Sequence, residues 1–349
     1  MNRNFDCVDG NMDVLMYNNT LKKVRDLNNS DEIYAISYDG EELRYIKAKI
    51  LGVYKRKSSA VKITLSDNRN IICSPCHQWL TRAGWHFSYD NGSIHENAFY
   101  IKNDMKMVGF SKRLTGVYEE SRLYMAGYII SAEIYGRNLI AFHSGEYADF
   151  ALRNGEVLNR VYNFLLYFGI DVALEDYFAH DSDTNEYFVT KKLRVSYKDM
   201  IRFSEKYSKY KDEPEFLRGF VAGSYDSDGS INPITKNVGS SKKEFLNIVK
   251  NGLELFDFEY SYNSEYMKAA IMGGVTELIR FYNIFKPVNK FAVENLPVRS
   301  RGVGNIAIVN IEKTKDDDLY EIITSSRSFI VNGIVSHDCT NFICGEVGR

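Results

Sequence analysis

Three short phrases in this sequence bring together side chains that react with peptide carbonyls. Cys7 opens the segment CVDGNMDVLM, Ser74-Pro-Cys-His77 closes the run ITLSDNRNIICS, and Ile334-Val-Ser-His337-Asp338-Cys339 ends the last patterned stretch. A thiol beside its own upstream carbonyl can attack it through a five-membered ring, which would turn the Asp6–Cys7 amide into a thioester. That shift is uphill unless the amide is strained and its leaving nitrogen is protonated. An imidazole suits such proton delivery at neutral pH, which points to His77, and the Ser74 hydroxyl can hydrogen-bond the developing oxyanion. At the far end a His, a side chain able to cyclise onto its own carbonyl, and a thiol stand side by side.

The elements that must position these groups follow from periodicity. Residues 7 to about 110 read as short alternating runs broken by turn signals (YAISYDG, YIKAKILGVYK, AVKITLSDNRNIICS), which predicts strands. From about 117 the pattern turns helical (EVLNRVYNFLLYFGI, KDMIRFSEKYSKY), with interleaved strands such as YFVTKKLRVSY. Beyond about 292 the chain returns to β alternation, with a hairpin turn predicted at Asn332-Gly333. The middle region also repeats: Glu156-Val-Leu-Asn159 recurs as Glu244-Phe-Leu-Asn247, and Ile201-Arg202-Phe203 as Ile279-Arg280-Phe281. Two copies of one helix-and-strand unit should pack into a single pseudo-symmetric body. The organisation is β, then α/β, then β.

Bulk properties bound the function. A chain of 349 residues with 44% hydrophobic residues can bury two cores. The net charge of −2 leaves no global footprint for nucleic acid, so DNA binding must rest on local features. No stretch resembles a signal peptide or reaches about 18 apolar residues, so a cytoplasmic protein without a membrane partner is expected; a monomer is expected as well. Five unevenly placed cysteines argue for chemistry rather than a disulfide framework.

The segment from Cys7 resembles the first splicing block of inteins, Ser74 to His77 resembles their Thr-x-x-His block, and FIVNGIVSHDC resembles their final block, which ends in His-Asn before Cys, Ser or Thr. The resemblance implies an all-β Hint horseshoe splicing domain that gathers both splice junctions into one site, interrupted by an insert. It maps the chain as an N-terminal flank at 1–6, a splicing domain at 7–115 and 293–338, an inserted domain at 116–292 and a C-terminal flank at 339–349. Cys7 would form the thioester, Ser74 and His77 would assist, Cys339 would take the acyl group, and His337 with Asp338 would release the branched intermediate. No cofactor is implied for splicing, and the partners are the flanking extein segments. Two departures stand out. Ser74 replaces the usual Thr and keeps the hydroxyl, whereas Asp338 replaces the usual Asn, and a carboxylate is the weaker nucleophile towards its own carbonyl. Slow C-terminal release is expected.

Within the insert, Val221-Ala-Gly-Ser-Tyr-Asp226-Ser-Asp228-Gly229 resembles the LAGLIDADG signature of homing endonucleases, and Ala126-Gly-Tyr-Ile-Ile-Ser-Ala-Glu133 is a degenerate second copy. The resemblance implies an α/β two-repeat nuclease. Small residues at Ala222 and Gly223 let two helices approach closely, and Glu133 and Asp228 at their ends suit Mg2+ or a similar divalent cation, with double-stranded DNA of the intein-less host gene as substrate. Residues 116–292 hold 21 Lys and Arg against 25 Asp and Glu, so positive charge would have to concentrate on one sheet face, with Lys191, Lys192, Arg194 and Lys268 as candidates.

Two other readings compete. A free-standing DNA endonuclease or DNA-binding module would use the β regions only as scaffold. Cys73-Ser-Pro-Cys76-His77 matches the C-x-x-C-H haem attachment pattern of c-type cytochromes, but that route needs an export signal. A zinc site on the same thiols lacks two further ligands at compatible spacing.

Overall fold

The computed structural model describes residues 6–38, 43–90, 98–115, 118–134, 146–151, 154–181, 186–228, 237–239, 243–263, 268–291, 293, 296–298 and 304–338. By contact the chain divides into two compact units: Met1–Val117 with Gly274–Asn283 and Ala292–Arg349, and Tyr118–Gly273 with Ile284–Phe291.

The path opens with β1 (Cys7–Asp9), β2 (Asp13–Leu15), β3 (Leu21–Lys23), β4 (Glu32–Tyr38), β5 (Leu43–Leu65), β6 (Asn70–Cys73), β7 (Gln78–Thr81), β8 (Gly84–Phe87) and β9 (Lys106–Gly109). It continues with α1 (Arg122–Ile134), β10 (Tyr147–Ala151), α2 (Gly155–Tyr167), β11 (Val172–Asp181), β12 (Glu186–Ser196) and α3 (Tyr197–Ser208). Next come α4 (Pro214–Asp228), β13 (Asn237–Gly239), α5 (Lys243–Leu255), β14 (Tyr260–Asn263), β15 (Lys268–Ile271) and α6 (Val275–Phe285). The chain then returns to strands β16 (Pro297–Val298), β17 (Gly304–Thr324), β18 (Ser328–Val331) and β19 (Ile334–His337).

In the first unit the described strands join one large antiparallel sheet, whose backbone is the pairing of β5 with β17. Buried Val61, Ile63 and Leu65 alternate with half-buried Lys62 and Thr64 along β5, the period of two that places one strand face in a core. β17 carries three register irregularities, which let so long a strand bend around that core. The core itself holds Val14, Ile33, Ile63, Ile71, Trp79, Ile308, Phe329 and Ile334. β1 is short but central: it pairs with β17 on one side and β6 on the other. The hairpin predicted at Asn332-Gly333 forms, with Val331 opposite Ile334 and both turn residues at positive φ (47° and 75°), as a two-residue primed turn requires.

In the second unit the helical period yields helices whose apolar faces are buried, such as Val157, Leu158, Val161, Phe164 and Leu165 on α2. The chain order α-β-α-β-β occurs twice in this unit, from α1 to β12 and from α4 to β15, and in sequence each run is followed by a further helix, α3 and α6, the latter falling mostly in the first unit; the two three-stranded sheets share one order, β10-β12-β11 and β13-β15-β14. The repeated phrases take matching places: Glu156 and Glu244 begin α2 and α5, and Ile201 and Ile279 lie in α3 and α6. α1 packs on α4 with no room for a side chain at the crossing. A Cβ on Gly127 would stand 2.2 Å from the Phe216 carbonyl oxygen, and one on Gly223 would stand 2.0 Å from Ser131 Oγ and 2.6 Å from the Tyr128 carbonyl oxygen. The helices are parallel: Gly219 meets Tyr124 and Gly223 meets Tyr128.

Candidate active site

Cys7 is buried because its strand lies between two neighbours, with Glu321 opposite it on β17. Just after β6 the chain turns at Ser74, which grips Cys7 at two points. The Cys7 N–H donates to Ser74 Oγ at 3.0 Å, and the Ser74 N–H donates to the Cys7 carbonyl at 2.9 Å. The hydroxyl expected at the oxyanion therefore stands on the nitrogen side of the Asp6–Cys7 bond. The turn closes when the His77 N–H donates to the Ser74 carbonyl at 3.1 Å, and Ser88 Oγ anchors it by donating to the His77 carbonyl at 2.8 Å.

The His77 ring is 1% exposed and held from several sides. Nδ1 is in contact with the Asp6 carboxylate, Nε2 lies 2.7 Å from Ser336 Oγ, and the ring packs on Trp79 with centroids 4.5 Å apart. The reason Ser336 is there is the sheet: β19 pairs with β7 at Ser336 and Trp79, so a residue just ahead of β7 meets the strand that leads to the far end of the 7–338 segment.

At that end Asp338 is 2% exposed. Its N–H donates to the Arg327 carbonyl at 3.0 Å, and its Oδ2 accepts from Thr324 N–H at 2.8 Å and Thr324 Oγ1 at 3.0 Å. Oδ1 is buried without a hydrogen-bond partner among the described residues. Burial raises the Asp338 carboxyl above its ordinary range, against the Thr324 hydrogen bonds, and the charge of Asp6 adds to the rise. His337 Nδ1 donates to the Asp338 carbonyl at 2.7 Å, and its ring meets Trp85 edge-on at 5.0 Å. The imidazole thus polarises the carbonyl of the bond that follows, rather than reaching along the chain to a leaving nitrogen. Cys339 lies outside the described residues.

The neighbouring thiols are of another kind. Cys73 is wholly buried on β6, its Sγ 3.1 Å from Ser88 Oγ, and burial pushes it up to about 12. Burial also pushes Cys76 up to about 12, with its Sγ 3.5 Å from Ser74 Oγ. Both stay thiols at neutral pH and are weak nucleophiles. A haem thioether at Cys73 has no access, and among the described residues no group of three or more His, Cys, Asp and Glu is placed to hold a metal.

Three residues of this site escaped the sequence reading. Asp6 and Ser336 flank His77, and Glu321, 2% exposed, stands across from Cys7 and accepts from Arg56 Nε at 2.8 Å. A signal existed for Glu321: it shares a strand face with buried Leu319, and a carboxylate on an apolar face asks for a reason.

In the second unit, Glu133 and Asp228 lie at the C-terminal ends of α1 and α4, and their side chains lie outside the described residues. The helix register aligns them: residues 124 and 219, 128 and 223, and 133 and 228 each differ by 95. Asp226 is buried between these helices' ends, accepting from Tyr128 OH at 2.6 Å and from the N–H groups of Val288 and Asn289, both at 2.8 Å. Burial lifts its carboxyl to about 6 in spite of these donors.

Three of the four candidate cations contact carboxylates of their own sheet. Lys192 Nζ reaches Asp149 Oδ2 at 2.7 Å, and Arg194 takes Asp149 at 2.9 Å and Glu175 at 3.0 Å. Lys191 contacts Asp176 and, as a neighbour of Lys192 on one strand, faces the opposite side of the sheet. Lys268 begins β15 and is half-buried. No helix among the described residues is long and apolar enough to cross a membrane.

No family model matches the sequence, and no curated protein matches it. Solved structures similar to it include a DnaB intein from Synechocystis sp. PCC 6803, with 8% identity, a TM-score of 0.34, and coverage of 96% of this chain and 99% of that chain. The gp41-1 intein is 23% identical over 30% of this chain and 67% of that chain, with a TM-score of 0.22. Full-length DUF199/WhiA from Thermatoga maritima is 16% identical over 49% of this chain and 58% of that chain, with a TM-score of 0.36.

Proposed function

We propose that this chain is a self-excising splicing element of the intein class with a Hint-type splicing domain, removing residues 7–338 and joining the flanks 1–6 and 339–349. The observation that supports this most is convergence at one buried site. Ser74 holds the Cys7 amide, and His77, in contact with Asp6, reaches Ser336, two residues before Asp338. Both ends of the 7–338 segment thereby share a neighbourhood.

In this reading the Cys7 thiol attacks the Asp6 carbonyl carbon, a C–S bond forms, and the C–N bond of the amide breaks. The thiol proton passes to the Asp6–His77 pair and on to the departing nitrogen, which Ser74 Oγ keeps oriented. The Cys339 thiol then takes the acyl group by exchange. The Asp338 carboxylate attacks its own carbonyl carbon while His337 Nδ1–H stabilises the oxyanion; a C–O bond forms, the C–N bond to Cys339 breaks, and the departing nitrogen takes a proton from water to leave as an amine. Water opens the resulting anhydride, and the acyl group moves from the Cys339 sulfur to that amine to leave a peptide bond. None of these steps calls for a cofactor.

For 116–292 the parallel, glycine-mediated crossing of α1 on α4 supports a LAGLIDADG-type endonuclease acting on double-stranded DNA at the uninterrupted host gene. Two hard carboxylates at aligned helix ends form a suitable donor set, so Glu133 and Asp228 would hold a magnesium ion, which supplies an activated water for phosphodiester hydrolysis. The protein is proposed to act as a cytoplasmic monomer, with domain limits at 115/116 and 292/293.

The test is intact mass spectrometry of freshly expressed chain, with and without dithiothreitol. Release of the six-residue N-terminal flank from wild type but not from Cys7→Ala is expected, and equal release from both removes Cys7 from the reaction. A wild type that stays intact throughout leaves the free-standing nuclease as the better reading. Asp228→Asn should end magnesium-dependent cutting of DNA while leaving flank release unchanged.

A further inference from the structure

His77 and Ser336 are separated by 259 positions and meet at 2.7 Å in a buried site, and splicing as proposed above gives Ser336 no part. Ser336 is wholly buried, so solvent does not compete for its hydroxyl. That hydroxyl has two acceptors within reach, His77 Nε2 at 2.7 Å and the His337 carbonyl at 3.2 Å, and one hydrogen to give.

The two arrangements are mutually exclusive. When Nε2 carries no hydrogen, Ser336 donates to it, and Nδ1–H faces the Asp6 carboxylate. When Nε2 carries a hydrogen, Ser336 must accept it and turns its own hydrogen to the His337 carbonyl. The second arrangement pins the peptide after His337, the residue whose Nδ1 donates to the Asp338 carbonyl.

We infer that Ser336 is a positioning residue that fixes the His77 ring for the N-terminal step and carries the protonation state of His77 to the C-terminal junction. Resting on the splicing reading, this assigns the order of the two cleavages to one hydroxyl rotor. After the N-terminal step has changed which nitrogen of His77 holds a hydrogen, the Ser336 hydrogen moves and the carbonyl at 337 gains or loses its donor. No bond is made or broken at Ser336 itself. The other described contacts of the His77 ring are with Trp79 and Phe329, which present ring faces and edges, and with Asp6 at the other nitrogen.

The experiment uses the full chain as wild type, Ser336→Ala and Ser336→Thr, following release of each flank separately by mass. Ser336→Ala should slow thiol-induced release of residues 1–6 at least tenfold and slow C-terminal release as well, and Ser336→Thr should restore both by keeping the hydroxyl on a strand-compatible side chain. In parallel, imidazole nitrogen-15 spectra in a Cys7→Ala background should show a changed His77 tautomer balance with Ser336→Ala and the original balance with Ser336→Thr. Wild-type rates and an unchanged His77 signature in Ser336→Ala overturn the inference, as does a Ser336→Thr variant that behaves like the alanine. A wild type that releases neither flank overturns the splicing reading and this role with it, an outcome separate from an active wild type indifferent to Ser336.

Discussion

Ser74 and Cys7 hold each other through both backbone and side chain: the Cys7 N–H meets Ser74 Oγ at 3.0 Å, and the Ser74 N–H meets the Cys7 carbonyl at 2.9 Å. Ser74→Ala leaves the backbone half of this grip intact and removes the acceptor for a buried amide N–H, at a cost of about 1–3 kcal/mol. If that acceptor is needed most while the nitrogen leaves, dithiothreitol-induced release of the N-terminal flank should fall by roughly tenfold to a hundredfold, as about 1.4 kcal/mol is a factor of ten. Ser74→Thr should retain most of the rate. A Ser74→Ala chain that releases its flank at the wild-type rate would show that the grip serves folding alone.

Asp338→Asn should accelerate C-terminal release. Thr324 offers two donors to one side of the Asp338 carboxyl, so an amide must put its oxygen there and its nitrogen where the unpartnered Oδ1 now stands, as a better nucleophile towards the adjacent carbonyl. The wild type should show a rate limb that climbs as the carboxyl ionises, above the ordinary carboxylate range because burial raises this group, and Asn should lack it. The sign for stability follows from the same shift. An acid raised in the folded state destabilises the fold as pH rises from its unfolded value through its folded value, so Asp338→Asn should gain stability relative to wild type above that window. Denaturant midpoints across pH and the mass of free C-terminal product test the two halves, and identical profiles would make Asp338 a bystander.

Asp226 should titrate near 6 in carboxyl carbon-13 spectra of the folded chain. Because burial raises it above the ordinary carboxylate value, its contribution to stability is fully present below about 4 and fades as pH rises through about 6. An Asp226 resonance that titrates in the ordinary carboxylate range would mean that Tyr128 and the two backbone donors outweigh its desolvation.

Gly223→Ala should destabilise the second unit by about 1–3 kcal/mol, since overpacking forces the helices apart and the added carbon would meet the Tyr128 backbone. Gly155→Ala is the control: a Cβ there meets nothing within 4 Å, and replacing a helical glycine should be neutral or stabilising by about 0.5–1 kcal/mol. Thermal unfolding of both variants decides the matter, and a Gly223→Ala midpoint equal to wild type would refute the close crossing.

The order β, α/β, β, the Asn332-Gly333 turn and the internal repeat were all legible in the sequence, as were the phrases around Cys7, Ser74 to His77, and His337-Asp338 on which the proposed chemistry rests. Each is a local property: alternation, helical period, a turn dipeptide, or a side chain beside its own carbonyl. What only tertiary structure decided was which of these local pieces are neighbours. Strand periodicity says that Ser336 and Glu321 face a particular side of their strands, but the sheet order alone sets β19 against β7 and β17 against β1, and so brings Ser336 to His77 and Glu321 to Cys7. The cations of the second unit show the same limit from the other direction. Lys192 and Arg194 looked available because a sequence shows a cation and not its partner, and cross-strand register puts Asp149 and Glu175 beside them. Local pattern fixes the element and its apolar face, whereas pairing across long loops depends on how all the faces bury together, which no single segment encodes.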